Sequence, residues 1–440
     1  MNILLATHNY YPYNYGGTEV YVASLAQYLV KLNHEVSIVA AVNNEAFNIH
    51  PVIFEDKNLK VCKYHYQDIN VFGVQYKKIT TQQIYSRQSH QHQNSWSQLI
   101  SLNDVLKNIN LLHVHGFTPT IGLDLIYALK ANNRSIKVVS SYHTAISCAK
   151  ETLLFANTLT EQHRNVDDVA DMFSYRLNIP YYLAKIISII LPNINISFLP
   201  SIFNLKNLTW LILNSFKKLD ELTDEWWVYS EGIQKHLIVK GIAADKLIFE
   251  RHGIASFFIN NERISVPPYK FLYSGRTIKS KGFHTLLNAW LKLKESTDEE
   301  LWITGYPVSE DKKTQALIKQ TSKRKDIIWL GSLNQQEIAK IYLSVNTVII
   351  PSEVYEIGPL VFHEAIASGC SVISSDIGGC KELAEYYHNS ATTFKAGDAT
   401  DLSEKIILQT TKGEVLMPEA KVLTFKMHFE NIISKSKIYG

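Results

Sequence analysis

Glu356 and Glu364 stand with seven residues between them in the run Ile349-Ile350-Pro351-Ser352-Glu353-Val354-Tyr355-Glu356-Ile357-Gly358-Pro359-Leu360-Val361-Phe362-His363-Glu364-Ala365. The run reads as a buried strand, a polar loop and then a helix. Gly358 allows close backbone approach, and Pro359 suits the first helical position. Leu360, Val361, Phe362, Ala365 and Ile366 are expected on the buried side of that helix, which Gly369 would end. A helix start then lies at the carboxyl end of a parallel strand. Open sheets bind ligands there, and the free N–H groups favour phosphate. One carboxylate can meet a ligand beside the phosphates, while the other accepts bonds from vicinal hydroxyls such as a ribose. Taken alone, such a glutamate pair is a solvated surface feature. The strand–loop–helix setting is what argues for a site.

A second loop, Tyr273-Ser274-Gly275-Arg276-Thr277-Ile278-Lys279-Ser280-Lys281-Gly282-Phe283, also follows a strand and opens a helix. Arg276 and Lys281 can both reach an anion near the strand end, Arg by its planar fork and Lys as a point charge. Neither G-x-x-x-x-G-K-[ST] nor G-x-G-x-x-G occurs, which argues against a P-loop nucleotidase and a typical dinucleotide enzyme. His113 with His115, and His90 with His92, have metal-like spacing. No third ligand is placed with either pair, so both are read as strand-end and loop residues, and no metal site is expected.

The elements that must position these residues come in two alternating series. Asn2–Thr7 reads as a buried strand, and Thr18 as the cap of a helix with Tyr21, Leu25, Leu29 and Leu32 on one face. Asn33 ends that helix and Val36–Ala41 is a second strand, a unit that implies a parallel sheet. Further strands are expected at Leu111–His115, Lys137–His143 and Trp227–Ser230. A second series follows at Phe271–Ser274, Leu301–Thr304, Ile327–Leu330, Thr347–Pro351 and Ser371–Ser375. Two doubly wound α/β domains facing each other are expected. Their extents are 1–255, with a helical insertion at about 146–219, and 256–418, followed by a helical end at 419–440.

The bulk numbers agree with a globular chain. It has 440 residues, 46% hydrophobic and 19% charged, enough for two or three domains with full cores. A net charge of +3 is too small to make nucleic acid the main partner. Cys62, Cys148, Cys370 and Cys380 form no C-x-x-C pair, which fits reduced thiols in a cytoplasmic protein. The first residues lack a basic n-region, so no secretion signal is expected. Tyr181–Phe203, the most apolar stretch, is broken by Lys185, Pro192, Asn193, Asn195 and Pro200 and does not read as a spanning helix.

These segments together resemble a family 4 glycosyltransferase, over about Met1–Ile49, Leu111–His143 and Glu225–Glu385. The Glu356…Glu364 pattern is the most specific match. The resemblance implies a GT-B fold, two Rossmann-like domains across a cleft, and retaining transfer from a nucleotide-diphosphate-sugar, UDP- or GDP-linked, with no cofactor. By the same resemblance Glu356 contacts the donor sugar and Glu364 the ribose. Amides around Gly358, Pro359 and Leu360 meet sugar and diphosphate, and Arg276 and Lys281 neutralise the leaving diphosphate. Gly16 and Gly17 match the family's Gly-Gly loop, and His143 its cleft histidine near the reacting centre. Arg251-His252-Gly253-Ile254 matches the segment leading into the donor domain, and the final helix is expected to cross back to the N-terminal domain. No Asp-x-Asp occurs, so metal independence is expected.

Saccharides and lipid-linked sugars of a cell envelope or exopolysaccharide are the acceptors implied. The rival readings are a nucleotide-sugar epimerase of the same fold and a non-catalytic sugar-nucleotide-binding protein. Peripheral contact with the inner face of a membrane is a further expectation. It rests on the apolar Tyr181–Phe203 and Leu208–Leu219 segments and the nearby Lys206, Lys217 and Lys218, and its alternative is an ordinary helical hairpin whose apolar side is core.

Overall fold

The computed structural model describes residues 1–14, 16–144, 146, 147, 165–191, 193, 204–259, 263, 267–309, 311–412 and 421–439. Short β-rich apolar runs separated by amphipathic helices build two sheets. The first contains β1 (Asn2–Thr7), β2 (Glu35–Ala41), β3 (Val52–Glu55), β4 (Leu59–Tyr66), β5 (Ile69–Tyr76), β6 (Leu111–Val114), β7 (Lys137–Ser141), β8 (Glu225–Val228) and β9 (Leu247–Phe249). Their order is β3-β4-β5-β2-β1-β6-β7-β8-β9. From β5 to β9 every pairing is parallel, whereas β3, β4 and β5 pair antiparallel. The second sheet holds β10 (Tyr269–Tyr273), β11 (Glu299–Ile303), β12 (Ile327–Trp329), β13 (Thr347–Ile350), β14 (Ser371–Ser375) and β15 (Ala391–Phe394), all parallel, in the order β12-β11-β10-β13-β14-β15.

In both sheets the strand order reverses beside the first strand, between β1 and β6 and between β10 and β13. Loops leaving the carboxyl ends of such neighbours diverge to opposite faces and leave a crevice between them. The architecture is GT-B, two Rossmann-like layers with helices on the sheet faces.

Several local expectations are corrected. The first helix runs Gly17–Lys31 with Gly16 as its N-cap, so Thr18 lies in the first turn and caps nothing. Leu32 is 44% exposed because it follows the last helical turn, while Tyr21, Leu25 and Leu29 are buried. Pro359 is the N-cap of the Leu360–Ala367 helix rather than its first residue. That helix buries Phe362, His363, Glu364, Ala365 and Ile366, and leaves Leu360 and Val361 only half-buried, Leu360 against the N-terminal core and Val361 against the C-terminal one.

Among the described residues the insertion contributes three helices, Asn165–Leu177, Tyr181–Ile190 and Leu205–Leu222. They share a small core of Val169, Met172, Phe173, Ala184, Leu205 and Ile212. The parts of the insertion read at 148–164, 192 and 194–203 lie outside the described residues, as does 413–420. Phe425–Lys435 forms the last helix, and its Phe425, Phe429 and Ile432, with Tyr439, join the core of the first sheet. A carboxylate of the second domain caps a helix of the first. Glu382 accepts from Ser230 Oγ at 2.7 Å, Glu231 N at 3.0 Å and Gly232 N at 3.2 Å, at the start of Glu231–Val239. Among the described residues no helix is long and apolar enough to cross a membrane.

Candidate active site

The second sheet's crevice carries the residues singled out by their chemistry. The loop after β10 holds Arg276 and Lys281, and the loop after β13 holds Glu356. The two loops are stitched together. Glu353 N donates to Ser280 O at 3.0 Å, and Ser352 Oγ lies 3.3 Å from the same oxygen. Gly282 makes the close approach possible. Its φ is +66°, and a Cβ there would lie 1.6 Å from Pro351 O, inside the backbone of the other loop.

Lys281 Nζ meets Glu356 Oε1 at 2.5 Å, and Ser352 Oγ donates to the same oxygen at 2.7 Å. A cation and a carboxylate therefore lie at the open mouth of the Leu360–Ala367 helix. Its first N–H groups have no helical partner, and its dipole favours an anion. The Gly378–Tyr386 helix supports the loop from behind, with Gly379 N donating to Glu356 O at 2.6 Å. Arg276 is exposed on the same rim. Burial pushes the Glu19 carboxyl up, offset in part by its backbone hydrogen bond and then by the Arg276 charge.

Gly16 and Gly17 face this rim across the cleft. A Cβ on Gly17 would come 3.7 Å from Leu360 Cδ1, and one on Gly16 would meet Glu19 Oε2 at 2.6 Å. Gly358 faces the hinge, where a Cβ would lie 3.0 Å from His252 Cδ2. Glu364 sits deeper than the other candidates, 5% exposed, with Tyr342 OH donating to Oε2 at 3.4 Å. Burial pushes its carboxyl up to about 7, partly offset by the Tyr342 and Gln335 hydrogen bonds.

His143, just past β7, belongs to an unforeseen buried assembly of imidazole and phenol rings beneath the cleft. Its ring stacks on Tyr229 at 5.0 Å and meets the edge of Tyr21 at 5.0 Å, and His252 stacks on Tyr229 at 4.0 Å. A chain of hydrogen bonds holds these rings, and its direction follows from its last member. The Arg251 carbonyl can only accept, so His428 Nδ1–H donates to it at 2.8 Å and His428 Nε2 must accept from Tyr21 OH at 3.0 Å. Tyr21 then accepts from Tyr229 OH at 3.1 Å, and Tyr229 from Ser141 Oγ at 2.6 Å. Ser141 accepts from His113 Nε2–H at 2.8 Å, and His113 Nδ1 accepts from Tyr439 OH at 2.6 Å. The chain begins and ends on residues of the C-terminal segment and the hinge and passes under the cleft of the N-terminal domain.

Burial keeps these imidazoles neutral. His143 is pushed down to about 3, chiefly by burial and then by His428, and His113, His115 and His252 are held well below the usual range by burial first. The sequence signals that could have exposed the assembly are His113 and His115 at strand-end spacing and the aromatic Tyr229, but His428 and Tyr439 come from far along the chain. His92 Nε2–H donates to the Lys78 carbonyl at 3.1 Å, outside this assembly. Among the described residues no group of three or more His, Cys, Asp or Glu side chains is arranged to hold a metal ion.

Two Rossmann-like sheets, with a helix start and the Arg276 and Lys281 cations at the switch point of the second, define a protein of GT-B fold. The chain belongs to the family 4 glycosyltransferases. The Glycosyltransferase Family 4 model matches residues 15–174 and the Glycosyl transferases group 1 model matches residues 256–415. An uncharacterized glycosyltransferase of Methanocaldococcus jannaschii is 34% identical over 27% of this chain and 30% of its own length. The lipopolysaccharide 1,2-N-acetylglucosaminetransferase of Salmonella typhimurium is 27% identical over 37% of this chain and 46% of its own. The amylovoran biosynthesis glycosyltransferase AmsK of Erwinia amylovora is 31% identical over 44% and 51%. The matches thus span about half or less of these relatives. Sucrose-phosphate synthase from Thermosynechococcus elongatus has the same fold, with a TM-score of 0.59 at 14% identity over 98% of this chain and 96% of that one. Anabaena Alr3699/HepE in complex with UDP-glucose gives 0.56 at 12% identity, over 99% and 95%.

Proposed function

We propose that this chain is a retaining hexosyltransferase. It moves a sugar from a nucleotide-diphosphate-sugar to a saccharide or lipid-linked acceptor in cell-envelope or exopolysaccharide synthesis. The observation that carries the reading is the 2.5 Å Lys281–Glu356 pair at the mouth of the Leu360–Ala367 helix. Lys281 and Glu356 compensate each other's charge. An arriving diphosphate offers Lys281 a stronger partner, which frees Glu356 to accept from sugar hydroxyls. As the bond to the anomeric carbon breaks, charge builds on the departing diphosphate. Lys281, Arg276 and the helix amides then stabilise that charge more than the ground state, which is what lowers a barrier. The acceptor hydroxyl attacks from the face the diphosphate leaves, and a departing phosphate oxygen takes its proton. No protein nucleophile is used.

Membership in family 4 supports this reading, as do relatives named for lipopolysaccharide and amylovoran synthesis and a neighbour of the same fold with UDP-glucose bound. Incubation with a UDP- and GDP-sugar panel and saccharide acceptors, followed by anomeric NMR of the product, tests it. Product with the donor's anomeric configuration is expected, with EDTA leaving the rate unchanged. An inverted product would overturn the mechanism, and conversion of donor alone to an epimer would favour the rival activity. The same reading includes peripheral membrane contact through the Tyr181–Ile190 helix, which exposes Tyr182 at 82%, Ile189 at 65% and Ile190 at 73%. Co-sedimentation with anionic liposomes at low and high salt tests that contact.

A further inference from the structure

We propose that His115 is a positioning residue that sets the tautomer of His143, so that His143 presents Nδ1–H as a hydrogen-bond donor towards the sugar. The inference rests on the reading that His143 faces the donor sugar. His115 Nδ1 lies 3.1 Å from His143 Nε2, so one of these nitrogens carries the shared proton. The other nitrogen of each ring decides which. His115 is 2% exposed, and its Nε2 is buried without a hydrogen-bond partner. Were His143 the donor, His115 would carry its own proton on that Nε2, leaving a buried N–H orphaned. Buried N–H groups are orphaned less often than acceptors are. With His115 Nδ1–H donating, the orphan is a bare lone pair, and His143 must carry its proton on Nδ1. Among the described residues His143 Nδ1 meets no protein partner, and the ring is partly exposed. A neutral sugar hydroxyl oxygen can take that proton in a hydrogen bond.

The support behind His115 is rigid. Its ring stacks on His113 at 4.0 Å, and His113 is held on both nitrogens by Tyr439 and Ser141. His143 cannot turn to escape, because Tyr229 covers one face and the Tyr21 edge closes another side. Second partners of this kind commonly fix which imidazole nitrogen is protonated.

Long-range 15N–1H correlation of the imidazoles tests the proposal without any turnover, with His143 assigned by the loss of its signals in His143→Gln. In the wild type, a protonated Nδ1 and a bare Nε2 on His143 are expected, and a protonated Nε2 would overturn the proposal. Two variants give the kinetic arm. In His115→Asn the side-chain N–H stands where Nδ1–H stood, whereas His115→Leu removes it. His115→Leu should lower kcat about tenfold with little change in donor KM, the equivalent of one ordinary hydrogen bond. His115→Asn should recover most of that loss and keep the His143 tautomer. Equal kcat in the two variants would overturn the proposal. A wild type inactive on every donor would instead count against the function, and the tautomer would still decide this inference.

Discussion

Lys281 and Glu356 share one short contact, and what a ligand does to it decides how each behaves under mutation. Glu356 is held by its own loop through Ser352 and buries little apolar surface, so Glu356→Gln should fold like the wild type. The amide cannot accept on both atoms, and transfer should be lost. Wild-type turnover in that variant, measured on the true substrates, would remove Glu356 from the site. Glu364 behaves differently because burial holds its carboxyl near 7. Ribose hydroxyls donate best to the ionised form, so donor binding should expel a proton. Donor affinity should tighten as pH rises from about 6 to 8, and Glu364→Gln should flatten that dependence. Titration calorimetry in two buffers reads the proton directly, and a pH-independent wild-type affinity would contradict it.

At the scale of elements, the strand–loop–helix units around both switch points were legible because buried parallel strands carry apolar runs, as β13 does, and β14 falls on the expected residues. The candidate loops followed from them. The β3–β5 meander was missed. Its signal is there, since Lys63-Tyr64-His65-Tyr66 alternates and Gln67-Asp68 takes the left-handed conformation of a tight hairpin. Lys and Tyr on half-buried strands masked it. The buried ring assembly was illegible for a different reason. Tyr21, His113, Tyr229 and His428 meet only in three dimensions, and no spacing records that. Glu382 caps a helix of the other domain, a contact that no sequence spacing records either. Replacing it by Ala leaves the Ser230, Glu231 and Gly232 donors without their carboxylate. Loss of a cap of this kind costs about 1–2 kcal/mol. A lower Tm in Glu382→Ala, partly recovered in Glu382→Gln, is the expected outcome, and an unchanged melt would show that the domains do not rely on this contact.

For the whole molecule, the buried rings tie stability to pH. His113, His115, His252, His363 and His428 are all pushed down by burial, the last two to about 3. Unfolded, each binds a proton below about 6.5. The unfolded chain therefore holds more protons than the folded one between about 6.5 and 3, and stability falls as pH falls through that window. Asp124 and Glu364, both raised to about 7 by burial, act in the opposite sense as pH rises through 7 but are outnumbered. Chemical denaturation at pH 7 and pH 5 should show the loss, and equal midpoints would contradict neutral buried histidines. The central claim is that a nucleotide-diphosphate-sugar sits between the β10 and β13 loops with Arg276 and Lys281 on its phosphates. Charge-assisted bonds of this type are worth about 1.5–3 kcal/mol each. The most direct measurement is the donor Kd, by titration calorimetry, of the wild type, Arg276→Ala and Lys281→Ala. A donor that binds the wild type and loses roughly ten- to hundredfold affinity in each variant is the predicted result, and undiminished affinity in both would place the diphosphate elsewhere.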